Sequence, residues 1–345
     1  MKGTNYIYAS AKIRALESKI LDKTDIERMV DAPDFAGAFK VLNDTDYGDN
    51  LLDLDPTDYR LAIKRDFEQM HDLLQKITPK ENLFELILLE RDFINLKLFF
   101  KEKKYNIEIE SHIRDNSIYS PDHLKDFIYE THIHEPSVMR AYVKEQKGQV
   151  LDQDIKNVIY RTTKKINEKT RPDEIDAILT QEYFDLKQEL AQDIGSRFII
   201  NYVKMEIDVS NLLIWLRAKR LNLNKDILTS KLIKGGQADV KRMIQLFPEE
   251  ARGLKSFVNA NFDYIILSAF ETFCENDNLF LLEKAIEDYK IRYARQAKRF
   301  SYGPEVIFGY YLAKQNAINN IRIILTGKLN KMPLESIKQT IREAY

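Results

Sequence analysis

The sequence predicts an all-α protein. Three observations lead there: apolar residues recur at steps of three and four through most of the 345 residues, glycine and proline supply only 11 and 9 of them, and two-residue alternation is almost absent. A sandwich or propeller needs a turn roughly every 8–12 residues, and a chain so poor in turn formers does not supply them. At about 150 residues per domain the length corresponds to two or three units, with ample chain for a buried core.

Residues 84–104 show the pattern most clearly. Leu86, Leu89, Phe93, Leu96 and Phe100 advance by three, four, three and four, which lays them on one stripe of a helix. Residues 58–77 before it, and 172–190, 197–220, 279–299 and 304–325 after it, carry comparable spacing with charges between. Pro172 after Arg171 and Pro304 after Gly303 read as first-turn positions, where a missing amide hydrogen costs nothing. Pro79, Pro121, Pro136, Pro248 and Pro333 divide the rest into shorter helices. Residues 105–110 alternate like a strand but serve equally as a connector. Gly235-Gly236 reads as an interhelical turn, and Gly327 as a helix terminator.

Laying the strongest helices over one another reveals a repeat. Asn95, Asn211 and Asn320 are each followed eight residues later by a lysine: Lys103, Lys219 and Lys328. The stripe is kept around each Asn, with Tyr202, Met205, Val209, Leu212 and Leu216 in the second copy and Tyr311, Lys314, Ile318, Ile321 and Leu325 in the third. Lys314 alone breaks the apolar pattern. An acidic–aromatic pair supplies a second landmark: Phe67 of Asp66-Phe67 and Tyr183 of Glu182-Tyr183 each lie 28 residues before their Asn, and Tyr289 of Asp288-Tyr289 lies 31 before. The three extra residues fall at Ser301-Tyr302-Gly303-Pro304, a turn able to absorb them. Three homologous helical units are therefore expected, near 1–110, 111–225 and 226–345. Asn is mildly unfavourable inside a helix, so three in one register predict side-chain hydrogen bonds to a neighbouring segment. The late lysines sit where a cation offsets the negative end of a helix dipole.

Charge is abundant but balanced, 53 basic against 54 acidic residues, and gives no electrostatic reason to expect a nucleic acid partner. The basic runs 101–104 and 290–299 have acidic neighbours and read as solvated helix faces. The single cysteine, Cys274, and a first stretch that mixes Lys2, Lys12 and Arg14 with polar residues predict a reducing, cytosolic setting without a secretory leader. Apolar runs such as 86–89 and 264–267 are far short of the roughly 20 residues that span a bilayer.

Enzyme signatures do not assemble. His132, His134 and Glu135, with His123 nearby, form the one histidine cluster, but no helical His-Glu-x-x-His spacing occurs and Pro136 follows at once. His71-Asp72 lacks the upstream histidine that a helical phosphohydrolase requires. Gly235-Gly236 has no Gly-Lys-Ser/Thr ending. Cys274 and Trp215 lie on or beside apolar stripes and read as core residues. No catalytic, cofactor-binding or metal-ligating residue is assigned, and a non-catalytic protein is expected.

The segment Tyr8-Ala9-Ser10-Ala11-Lys12-Ile13-Arg14-Ala15-Leu16-Glu17, followed by Leu42-Asn43-Asp44-Thr45-Asp46-Tyr47-Gly48, resembles the opening of the C subunit of V-type and archaeal-type ATPases, the relative of the eukaryotic d subunit. Asp92-Phe93-Ile94-Asn95-Leu96-Lys97, Gly303-Pro304-Glu305, Tyr311-Leu312-Ala313-Lys314, Asn319-Asn320-Ile321-Arg322, Gly327-Lys328 and Ile341-Arg342-Glu343-Ala344-Tyr345 extend the resemblance over essentially the whole chain. Lys12 stands where the family usually has Arg, and Ala317 where it usually has Glu. The resemblance implies an all-helical funnel of three similar domains around a pseudo-threefold axis. It further implies a central-stalk rotor component, peripheral on the cytoplasmic face of the membrane. Such a component receives the central shaft, made of the D and F subunits, sits on the proteolipid rotor ring and passes rotation between them. The alternative, a helical scaffold for another complex, suits repeats of 20–50 residues better than repeats near 110.

Overall fold

The structure, a computed structural model, describes residues 6–51, 55, 58–79, 81–114, 117–131 and 151–345. Its helices in chain order are α1 (Ile7–Glu17), α2 (Lys23–Asp31), α3 (Phe35–Asn43), α4 (Tyr59–Ile77), α5 (Glu81–Tyr105), α6 (Pro121–Glu130), α7 (Gln153–Lys165), α8 (Pro172–Ile194), α9 (Arg197–Arg220), α10 (Lys225–Lys231), α11 (Val240–Leu246), α12 (Lys255–Asn261), α13 (Tyr264–Asn276), α14 (Leu279–Ala294), α15 (Pro304–Leu329) and α16 (Leu334–Thr340). No strand occurs among the described residues, and residues 106–109 connect α5 to a short 3-10 turn at Glu110–His112.

Five of the described helices begin at a side-chain cap. Asp22, Asp34, Asp152, Asn224 and Asp263 each accept from the backbone N–H three residues on, satisfying a donor that has no partner within the helix. Pro121, Pro172 and Pro304 each occupy the first turn of their helices. Gly327 does not terminate α15, which continues to Leu329. It lies instead where a Cβ would stand 2.8 Å from Ile337 Cγ1, so its lack of a side chain lets α16 pack closely.

The chain forms two compact units. The first comprises residues 1–81, 196–202 and 245–345. Its centre is α15, most of whose residues are buried, Phe308, Ile318, Ile321 and Leu325 among them. Arg14 of α1 donates to the carbonyls of Ala297 (2.9 Å) and Phe300 (2.6 Å), and Ser10 Oγ accepts from Gly303 N–H at 3.1 Å. Those bonds fix α1 to the turn that leads into α15. Gly309 permits the same approach, since a Cβ there would lie 2.3 Å from that of Ala297. The aromatic rings of Phe198 and Tyr293 stack at 4.9 Å, and Tyr202 meets Phe308 edge-on at 5.1 Å.

The second unit comprises residues 82–195 and 203–244. Phe93 of α5 packs edge-on against Tyr183 of α8 at 5.4 Å. Trp215 is fully buried and its Nε1–H donates to the carbonyl of Met243 at 2.9 Å, the partner a buried indole requires. Arg161 and Lys165 of α7 converge on buried Glu182 of α8 at 2.6 and 2.9 Å.

Candidate functional site

The feature these helices present repeatedly is a polar clamp at each of the three asparagines, all fully buried. Asn95 Nδ2 donates to the Arg114 carbonyl at 2.9 Å while its Oδ1 accepts the Arg114 N–H at 2.8 Å. Asn211 holds Ile233 in the same two-bond manner, both at 2.8 Å. Asn320 holds Arg342 at 3.1 and 3.0 Å. An amide side chain reproduces the pairing of a sheet ladder here, satisfying both groups of one peptide residue beyond the helix.

Three residues before the first two asparagines a carboxylate extends the clamp. Asp92 accepts the N–H groups of Ile118 and Tyr119, each at 3.1 Å, and Asp208 those of Gln237 and Ala238, each at 3.0 Å. Gly235-Gly236 is the bend that brings this backbone in, and a Cβ on Gly236 would stand 2.0 Å from Asp208 Oδ1. Three residues before Asn320 stands Ala317. Here Asp288 accepts the N–H of Glu343, the residue next to the clamped Arg342, at 2.7 Å, while Asn316 donates to the Glu343 carbonyl at 2.7 Å.

Burial outweighs the two N–H donors at Asp92 and pushes its carboxyl up to about 7, with Asp152 adding in the same direction. Asp208 is raised for the same leading reason. A carboxyl raised in the folded state contributes most stability below its unfolded value near 4 and loses that contribution as pH rises through its folded value. The stability of the native chain relative to an Asp92→Asn variant is therefore expected to fall between pH 4 and 7, by on the order of 2–4 kcal/mol, and then level off. Thermal melts of both proteins across that range check it.

Two of the late lysines, Lys103 and Lys328, act on neighbouring segments. Lys103 donates to the Ile128 carbonyl in the last turn of α6, and Lys328 to the Ala32 carbonyl at the end of α2. Lys219 lies 5.7 Å from the Trp215 ring centroid. Eleven residues past each asparagine the backbone turns left-handed, at Asn106 (φ 52°), Asn222 (φ 50°) and Lys331 (φ 53°), so one type of helix end recurs in one register.

Lys314 is buried, and its Nζ lies 2.9 Å from Asp66 Oδ1 and 3.9 Å from the Tyr47 ring centroid. Burial raises Asp66 and lowers Lys314, in each case against the attraction of the partner. Asp66 and Tyr47 line a small cleft with Asn50, Tyr59 and Ile318, and Asn50 Nδ2 reaches Asp66 at 3.4 Å.

The basic runs are not simply solvated faces. Lys101 binds Asp176 at 2.7 Å and Lys104 the Asn167 carbonyl, while Arg292, Arg295 and Lys298 hold residues 343–345. Cys274 is half-buried rather than part of the core, its thiol raised by burial. His71 Nδ1 lies 3.7 Å from Asp72, and His123 is on α6, whereas His132, His134 and Glu135 lie outside the described residues. Among the described residues no group of three His, Cys, Asp or Glu side chains is placed to hold a metal, and no helix is long and apolar enough to cross a membrane.

A family model described as ATP synthase (C/AC39) subunit matches residues 9–340. The C subunit of the V-type sodium ATPase of Enterococcus hirae is 20% identical over 334 residues, covering 96% of this chain and 97% of that one. The C subunit of the A-type ATP synthase of Desulfurococcus sp. is 25% identical over 359 residues, at 99% and 92% coverage, and that of Methanocaldococcus jannaschii 21% over 357, at 97% and 86%. With the match running through all three clamp asparagines, the chain belongs to the ATP synthase (C/AC39) subunit family of V- and A-type ATPases.

Proposed function

We propose that this chain is the non-catalytic rotor adaptor of its ATPase. It is a socket that receives the central shaft of D and F subunits, rests on the proteolipid rotor ring at the cytoplasmic face, and passes rotation between them. Its three repeats, near 1–110, 111–225 and 226–345, would then stand around a pseudo-threefold axis as a funnel. The observation that carries this proposal is the same asparagine clamp occurring at Asn95, Asn211 and Asn320. A part that transmits torque must resist shear, and it does so where close-packed helices are tied to their connecting segments by fully satisfied buried polar groups.

Purified chain is expected to bind a D–F complex and to join it to detergent-solubilised ring in a three-way pull-down. Vesicles reconstituted without the chain are expected to hydrolyse ATP but to move no ions. A chain that binds neither D–F nor ring, or ion transport that proceeds without it, overturns the proposal.

A further inference from the structure

Residues 341–345 follow α16 without regular structure, and groups of other elements hold them almost entirely. Asn320, Asp288 and Asn316 engage the backbone of Arg342 and Glu343. Arg292 and Arg295 pair with the two carboxylate oxygens of Glu343 at 2.8 and 2.9 Å, and Arg295 Nε also donates to the Ala344 carbonyl at 3.0 Å. Lys298 lies 4.3 Å from the Tyr345 ring centroid, and the Tyr345 hydroxyl donates to Glu17 Oε1 at 3.3 Å. Gly309 leaves room for that hydroxyl, which a Cβ would meet at 3.1 Å.

This is how an extended peptide ligand is bound: backbone groups paired by side chains, an acidic residue in a two-arginine fork, and an aromatic ring beneath a cation. We propose that the cleft formed by α1, α14, the turn at Arg295–Arg299 and α15 is a peptide-recognition site, filled in cis by residues 341–345 and able to accept an extended peptide with an acidic residue two positions before an aromatic one. The cationic row gives the occupant its chemistry. Arg292, Arg295 and Lys298 follow one another at steps of three; Asp263, which caps α13, pairs with Arg292 at 3.0 Å, and Glu343 is the carboxylate that Arg292 and Arg295 share. The site goes beyond the rotor proposal and holds whether or not that proposal does.

The test uses the full chain carrying Glu343→Ala and Tyr345→Ala, which weakens the resident ligand, and a fluorescein-labelled peptide with the sequence of residues 336–345. Anisotropy titration is expected to show binding at least about ten-fold tighter to the variant than to the native chain. That binding weakens as salt rises from about 0.05 to about 0.3 M and is lost when Arg292→Ala and Arg295→Ala are added. Equal binding to variant and native chain, binding that survives loss of both arginines, or no binding by a variant of native helicity overturns the proposal. Should the variant lose helicity, hydrogen exchange on the native chain decides. Excess peptide is expected to speed exchange of the Arg342 and Glu343 amides about ten-fold while leaving the Ile233 amide unchanged, and unaltered exchange at both refutes the proposal.

Discussion

Replacing Lys314 with methionine will lower stability by roughly 3–5 kcal/mol at neutral pH, because Asp66 is then left charged and without its cation in a buried position. The intact pair contributes far less than that loss suggests, since burial works against each ion more than the partner helps it. The double variant Asp66→Leu with Lys314→Met is accordingly expected to return to within about 1 kcal/mol of the native chain. The deficit of the single variant also depends on pH. An unpaired buried carboxyl titrates above its unfolded value, so the loss is small below about pH 4, where both states are protonated, and widens as pH rises. Denaturant midpoints for the native chain, Lys314→Met, Asp66→Leu and the double variant at two pH values measure the coupling directly. A double variant as weak as the single one removes this account of the pair.

Asn211→Leu will cost roughly 2–4 kcal/mol, since leucine keeps the volume but orphans both backbone groups of Ile233. Asn320→Leu and Asn95→Leu make the same chemical change and are expected to cost progressively less. Ile233 is only 2% exposed, Arg342 is half-buried, and Arg114 is exposed enough for water to replace the lost partner. The order follows the burial of the clamped residue, not of the asparagine, which is 0% exposed in all three. Thermal melts of the three variants test it, and equal losses would show that the clamped backbone does not set the cost.

The helical class and the register of the three asparagines are legible because periodicity and spacing are properties of the chain itself. Asn95, Asn211 and Asn320 do make the bonds to neighbouring segments that their unfavourable helical positions imply. Their partners are not legible, since Arg114, Ile233 and Arg342, two arginines and an isoleucine, are recognised by backbone alone. Lys314 visibly breaks the apolar stripe, but spacing does not say that it is buried or that it pairs with Asp66. Gly327 is misread as a terminator because glycine marks a close approach as readily as a helix end, and only the position of Ile337 separates the two. The role of Asp288 is out of reach for a similar reason. Its bond to the Glu343 N–H depends on α14 and α15 lying beside the last residues, which spacing along the chain does not show.

The amide groups at Asn95, Asn211 and Asn320 bear no ionisable proton and no net charge. Where carboxylates and lysines loosen or tighten with acidity and salinity, the amide-to-backbone bonds themselves carry no charge to titrate or screen. The place of each clamped segment is thus set by a group that neither acidity nor salinity alters directly.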